Sequence, residues 1–119
     1  MGVSETYDLF QQGRARLRQG MAAQATVPLE KAKRREPKKA SIREALGIAY
    51  FRIRRYVEAE SEFRAVLDIS PTDDYAHYAL ARCLERQGRA KEARGHYKIA
   101  SCLSPGSERY AQHLRDLTG

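Results

Sequence analysis

Apolar residues recur along this chain at four- and then three-residue spacing. Ala25, Leu29 and Ala32 follow that pattern, as do Ala59, Phe63 and Val66, then Ala93, Tyr97 and Ala100. Such spacing puts one stripe on one face of an α-helix, and no segment shows the two-residue alternation of a strand. Tyr110, Leu114 and Leu117 form a further helical stripe near the end. Breaks fall at Gly20, Arg54-Arg55, Gly88 and three proline-containing segments. The pattern predicts helices near 4–19, 22–36, 40–53, 56–70, 74–87, 90–103 and 107–117.

The breaks are periodic. Pro37, Pro71 and Pro105 are spaced 34 residues apart, each placed to stop a helix and turn the chain. At that period Gly13, Gly47 and Ala81 share a column, followed by columns Ala25/Ala59/Ala93, Leu29/Phe63/Tyr97 and Ala32/Val66/Ala100. Small residues in the first two columns let antiparallel helices approach closely, and the large third column fills the space between them. The small fourth column admits the next pair. Gly20 and Gly88 fall where the first helix of a pair must end, a position that favours glycine.

On these residues the chain resembles the tetratricopeptide repeat family. The strongest stretch is Leu46-Gly47-Ile48-Ala49-Tyr50 with Tyr56, Ala59, Phe63 and Pro71, followed by Leu80-Ala81, Gly88, Ala93, Tyr97, Ala100 and Pro105. The resemblance implies an all-α fold: a right-handed α-solenoid of three helix-turn-helix pairs with a closing helix. Residues 1–119 would form a single domain, with repeats 6–39, 40–73 and 74–107 and a capping helix over 108–119. Departures occur at the family's bulky fourth position, where Leu9 is apolar but Arg43 and His77 are not, and at Gln12 and Arg16. Arg54 replaces a turn glycine, and Pro28 lies inside a helix, where it removes a backbone donor.

Composition adds a bias towards acidic partners. Sixteen arginines and six lysines against 15 acidic residues give a net charge of +7. No apolar run reaches the roughly 20 residues of a membrane span. Gly2 matches a loose acylation pattern that many unrelated N-termini share. Cys83 and Cys102 have neither disulfide-framework nor metal-ligand spacing and read as buried free thiols, which fits a reducing, cytoplasmic setting.

The resemblance further implies that the first helices line a concave groove. Carried over by position, that groove takes Tyr7, Phe10, Arg14, Leu17 and Arg18 from the first repeat. The second supplies Ser41, Glu44, Ile48, Phe51 and Arg52, and the third Tyr75, Tyr78, Arg82, Glu85 and Arg86. Five arginines interleaved with aromatic residues suit an acidic segment carrying a bulky apolar anchor. Some family members grip a chaperone's C-terminal carboxylate with a two-Lys, two-Asn, one-Arg clamp. Here those positions hold Phe10, Arg14, Ala45, Tyr75 and Ala79, so that clamp is absent.

The leading function is therefore a protein-interaction adaptor binding an acidic or aromatic-containing peptide, with no cofactor or metal. Two alternatives compete. One is self-association through an apolar stripe of Tyr7, Phe10 and Leu17 at the edge of the first repeat; the other is nucleic-acid binding driven by charge, ranked last. The basic run Lys31, Lys33, Arg34, Arg35, Lys38 and Lys39 reads as a helix C-terminus complementing its macrodipole. Glu58, Glu60 and Glu62 read as a solvated helix face. His77, His96 and His113 have no catalytic partner at useful spacing, so enzyme activity is not expected.

Overall fold

The computed structural model describes residues 5–118. The acylation pattern at Gly2, Ser4 at the expected start of the first helix, and residue 119 of the expected cap lie outside them. Seven helices follow one another: α1 Glu5–Arg18, α2 Ala22–Arg35, α3 Ala40–Arg52, α4 Tyr56–Ile69, α5 Asp74–Arg86, α6 Ala90–Leu103 and α7 Glu108–Thr118. Each packs on the next, and the assembly extends over 52 × 25 × 21 Å. This is the α-solenoid expected from the repeat, closed by α7, whose Tyr110, Leu114 and Leu117 join the core built on α5 and α6.

The repeating columns form the interior. Ala25, Leu29, Ala32, Ala59, Phe63, Val66, Ala93, Tyr97 and Ala100 are all at most 1% exposed. Gly13 and Gly47 are demanded by close approach. A Cβ on Gly13 would lie 2.3 Å from Leu29 Cγ, and one on Gly47 2.7 Å from the Phe63 ring.

The three turns within pairs share one hydrogen-bond pattern. Met21, Arg55 and Arg89 donate their backbone N–H to Arg16, Tyr50 and Leu84 carbonyls at 2.8, 2.9 and 2.9 Å. Gly20, Arg54 and Gly88 donate to Leu17, Phe51 and Glu85 at 3.1, 3.0 and 3.0 Å. Together these bonds satisfy carbonyls that a helix end leaves open, and they require left-handed backbone at the glycine position. Gly20 and Gly88 have φ of 77° and 79°, and Arg54 is forced to 64° in the same role. A non-glycine residue there costs about 1–2 kcal/mol. Arg54→Gly is therefore expected to stabilise the protein by about 1 kcal/mol, read as a higher urea midpoint at unchanged slope. A lower midpoint would mean that the Arg54 side chain contributes more than its backbone costs.

Pro28 lies within α2 and is buried, yet the helix continues to Arg35. Its missing N–H leaves the Gln24 carbonyl, four residues back, without a helical donor. Arg16 Nη1 donates to that carbonyl at 3.0 Å. The departures at Arg16 and Pro28 thus compensate one another across the α1–α2 pair.

Two sequence expectations need correction. Cys83 is buried, but Cys102 is exposed, because it occupies the outer face of α6 rather than the stripe of Ala93, Tyr97 and Ala100. Burial pushes the Cys83 thiol up to about 12, with Glu60 adding to the rise, so it stays protonated at neutral pH. The acidic run on α4 is not a uniformly solvated face: Glu62 is 4% exposed. It accepts from Lys33 Nζ of α2 at 2.8 Å and Arg43 Nη1 of α3 at 3.1 Å. Glu60 meets Arg64, Arg89 and Gln87 at 2.9, 3.0 and 2.9 Å. Burial raises the Glu60 pKa, but these donors outweigh it and hold the carboxyl below its usual range. The neighbouring helices that bring these cations are invisible to spacing along α4.

Candidate functional site

The first helix of each pair contributes the same positions to one face. Its C-terminal rim carries Arg18, Arg52 and Arg86, spaced at the repeat period. Each rung with a preceding repeat reaches back to it. Arg52 Nη1 donates to the Leu17 carbonyl at 2.9 Å, capping the end of α1. The Arg86 guanidinium lies 5.7 Å from the Phe51 ring centre and 5.9 Å from that of Tyr56. Arg18, on the first of the three repeats, is exposed.

Between these rungs a cavity of about 260 Å³ opens between the second and third pairs. It is lined by Ile48, Phe51, Arg52, Phe63, Tyr75, Tyr78, Ala79 and Arg82. Phe51 forms one wall, with the Arg82 guanidinium stacked 4.9 Å above its ring centre. Tyr75 meets Phe63 edge-on at 6.3 Å and tilts against Tyr78 at 6.1 Å. The lining is thus apolar with cationic groups held over aromatic faces, an arrangement that keeps each guanidinium oriented with donors free for an anion. Burial raises the Tyr75 pKa, and the Glu44 charge adds to that.

Glu44 lies on the same first-helix face, within electrostatic reach of Arg14. Burial raises its carboxyl pKa, Asp73 raises it further, and Arg14 opposes both. Arg14 itself lies 5.5 Å above the Phe10 ring centre. Tyr97 Oη donates to Glu85 Oε1 at 2.7 Å, so Glu85 on the same rim is tied to the core.

Sequence reasoning assigned fifteen residues to this face, five from each repeat. Tyr75 and Arg82 line the cavity with Phe51 and Arg52, while Arg86 stacks beside it. Tyr78 forms its floor at only 5% exposure, packed against Tyr97 and Tyr110. Arg14 and Arg18 are exposed on the first pair. Tyr7 is 60% exposed, and it lines a smaller pocket with Phe10 and Ile42. Phe10 and Leu17 pack against the core of Ala25, Leu29, Ala45, Leu46 and Ala49, which leaves Tyr7 as the exposed part of the proposed self-association stripe. The sequence reading did not place Phe63 or Ala79 at the cavity. Phe63 was counted as filling within its own pair, and α5 brings Tyr75 edge-on against its ring at this side.

The basic run lies elsewhere. Lys33 is paired with Glu30 at 3.2 Å and with Glu62, and Arg35 is bonded to Glu5. Lys31, Arg34, Lys38 and Lys39 are exposed around the end of α2. Among the described residues no three His, Cys, Asp or Glu side chains gather as a metal site, and no helix is long and apolar enough to cross a membrane.

Two family models described as tetratricopeptide repeat match the sequence, one over residues 10–74 and the other over 54–112. No curated protein matches it. Solved structures resemble it closely in shape. The first TPR of Spaghetti (RPAP3), bound to the HSP90 peptide SRMEEVD, superposes with a TM-score of 0.92 at 19% identity, covering 99% of this chain and 94% of that one. Residues 41 to the end of MamA from Desulfovibrio magneticus give 0.92 at 23% identity, covering 97% and 65%. The type III secretion translocator chaperone SycD of Yersinia enterocolitica gives 0.91 at 14%, covering 99% and 86%. At these identities the likeness is one of fold.

Proposed function

We propose, for a chain that belongs to the tetratricopeptide repeat family, a protein-interaction module whose concave face holds an acidic segment of another protein. The observation that carries the reading is the cavity between the second and third pairs, apolar within and rimmed by Arg82, Arg86 and Arg52. A bulky apolar side chain of the partner enters between Ile48, Phe51 and Tyr75, and flanking carboxylates meet the guanidinium groups. A charge-assisted hydrogen bond of this kind contributes about 1.5–3 kcal/mol. The fold supports the reading as well, since the Spaghetti domain similar to this chain is bound to a peptide that carries two glutamates and an aspartate. Its mode of capture is not carried over. The clamp positions hold Phe10, Arg14, Ala45, Tyr75 and Ala79 here, and Ala45 and Ala79 are each only 6% exposed.

The test uses a fluorescein-labelled peptide with two glutamates on either side of one phenylalanine, read by anisotropy against the whole chain. Arg14→Glu/Arg82→Glu/Arg86→Glu is expected to weaken binding at least about 100-fold, the equivalent of two such bonds at the low end. Arg52 is left in place because it caps α1, and circular dichroism checks that the variant remains folded. Binding that persists in the folded triple variant would overturn the groove assignment. Raising salt should weaken the wild-type complex, as expected when exposed charges steer association.

A further inference from the structure

The fourth and twenty-third positions of a repeat face each other across its helix pair, and the three repeats fill them with different chemistry. The first repeat holds Leu9 and Pro28 there, and the second holds Arg43 and Glu62, bonded at 3.1 Å. The third holds His77 and His96, whose rings stack at 5.3 Å with 23° between their planes. The architecture therefore accepts an apolar, an ionic or an imidazole pair at one site, and nothing in the packing requires histidine.

Proton counting defines what this pair can do. His77 is 8% exposed, and its Nε2 lies 2.9 Å from the Pro71 carbonyl oxygen. A carbonyl only accepts, so Nε2 carries the proton and the neutral ring presents a bare Nδ1. That Nδ1 is 3.1 Å from Nδ1 of His96, so His96 must donate there. An added proton on His96 Nε2 makes a cation in a half-buried place. A further proton on His77 Nδ1 puts two N–H groups face to face and drives the rings apart.

The surrounding charges oppose this uptake. Arg64 of α4 faces the pair, and Glu92 of α6 offsets it, but Glu92 is already bonded to Arg64 at 2.8 Å and to Arg89 at 2.8 Å. Asp73, at the start of α5, accepts from the Ala76 N–H at 2.9 Å. From α7, Arg109 and His113 meet Tyr78, one residue on and about 100° round the helix from His77. Burial depresses the His96 pKa below the usual histidine value, His77 and Arg64 depress it further, and Glu92 works against them.

We infer that the His77–His96 pair is an acid-sensitive latch: a first added proton leaves its hydrogen bond in place, and the second, on His77 Nδ1, separates α5 from α6 and loosens the third repeat's wall of the groove. The consequence for the groove rests on the adaptor reading; the latch itself does not. A base held below its unfolded pKa contributes stability that is fully present above about pH 6.5 and is lost as pH falls through that value towards the folded pKa.

Urea unfolding at pH 7.5 and 5.0 tests the latch on the protein alone, with wild type beside His96→Gln. Glutamine keeps a donor for His77 Nδ1 and takes up no proton. Between the two pH values the wild-type unfolding constant is expected to rise severalfold more than that of the variant. Parallel changes in both proteins would overturn the latch. Should the variant not fold, an NMR titration of the wild-type histidines decides. Either histidine of the pair titrating below an ordinary 6.5 supports the latch, and both titrating at or above that value overturns it. The groove consequence is read separately, as affinity for the labelled glutamate–phenylalanine peptide at both pH values. A loss in wild type that His96→Gln abolishes supports it, and an equal loss in both excludes control through the latch.

Discussion

Replacing Gly47 with valine is expected to destabilise the protein by about 3 kcal/mol, at the upper end of what overpacking a core costs. The added Cβ alone would lie 2.7 Å from Cε2 and Cζ of Phe63, and valine adds two methyl groups beyond it. Phe63 is 1% exposed, so its ring has no solvent to turn into. Glycine's poor helix propensity returns less than 1 kcal/mol on substitution, too little to reverse the sign. The loss should appear as a fall in the urea midpoint with the slope unchanged, and as a drop in Tm on the order of 10 °C. The mechanism has its own check. Phe63→Ala alone should cost about 3–5 kcal/mol by opening a cavity, and the double variant should cost clearly less than the sum. Strict additivity would show that the two residues do not compete for one space. The third repeat carries Ala81 opposite Tyr97 in the same columns with both buried, so the clash arises from the placement of the Phe63 ring rather than from the repeat itself.

Glu62→Leu is the second large loss, about 2–3 kcal/mol. The carboxylate is the common acceptor of a network running through three helices. Tyr50 donates to Glu30 at 2.5 Å, Lys33 bridges Glu30 and Glu62, and Arg43 joins Glu62 to the Pro37 carbonyl at 2.8 Å. Burial works to lower the Lys33 pKa, but its bonds to Glu62 and Glu30 outweigh that and raise it. Removing one partner of a fully buried pair costs about 3–5 kcal/mol. Lys33 and Arg43 keep 23% and 21% of their side chains exposed and can turn partly to water, so the lower figure applies. Arg43→Leu/Glu62→Leu should recover part of the loss, because Lys33 keeps Glu30 and the double variant leaves neither cation of the network without a carboxylate. If Glu62→Leu unfolds at the wild-type midpoint, the network is a surface feature that contributes little.

These two results bear on function because both sites fix the angle at which α3 and α5 present the groove. Gly47 lies one turn before Phe51 on α3 and sets how closely Phe63 of α4 can pack against it. Glu62 joins the first pair to the second. A repeat array transmits such changes only to its neighbours, so either substitution should disturb the cavity between the second and third pairs more than the α7 cap.

The 34-residue period made the helices and their order legible from the chain alone. Small and large columns needed only local spacing to be recognised, and the turn positions followed from Gly20 and Gly88. The same period carried the groove face, because every first helix repeats its register. Legibility ended where a side chain's environment comes from another helix. Glu62 looked solvated along α4, yet Lys33 and Arg43, 29 and 19 residues away, enclose it. Arg52 read only as a groove residue, yet one of its donors also caps α1 at the Leu17 carbonyl. Pro28 was seen to remove a backbone donor, but that Arg16 supplies one to the Gln24 carbonyl shows only in the folded chain.

By itself, then, the sequence determined the helix periodicity, the pairing of helices and the face each turns inward, since these follow from spacing within one repeat. Only the tertiary structure decided which charges are paired, which arginines remain free and where the cavity opens. Electrostatic partners and clefts form between segments distant in the chain, and no local pattern records the distance that folding brings to zero.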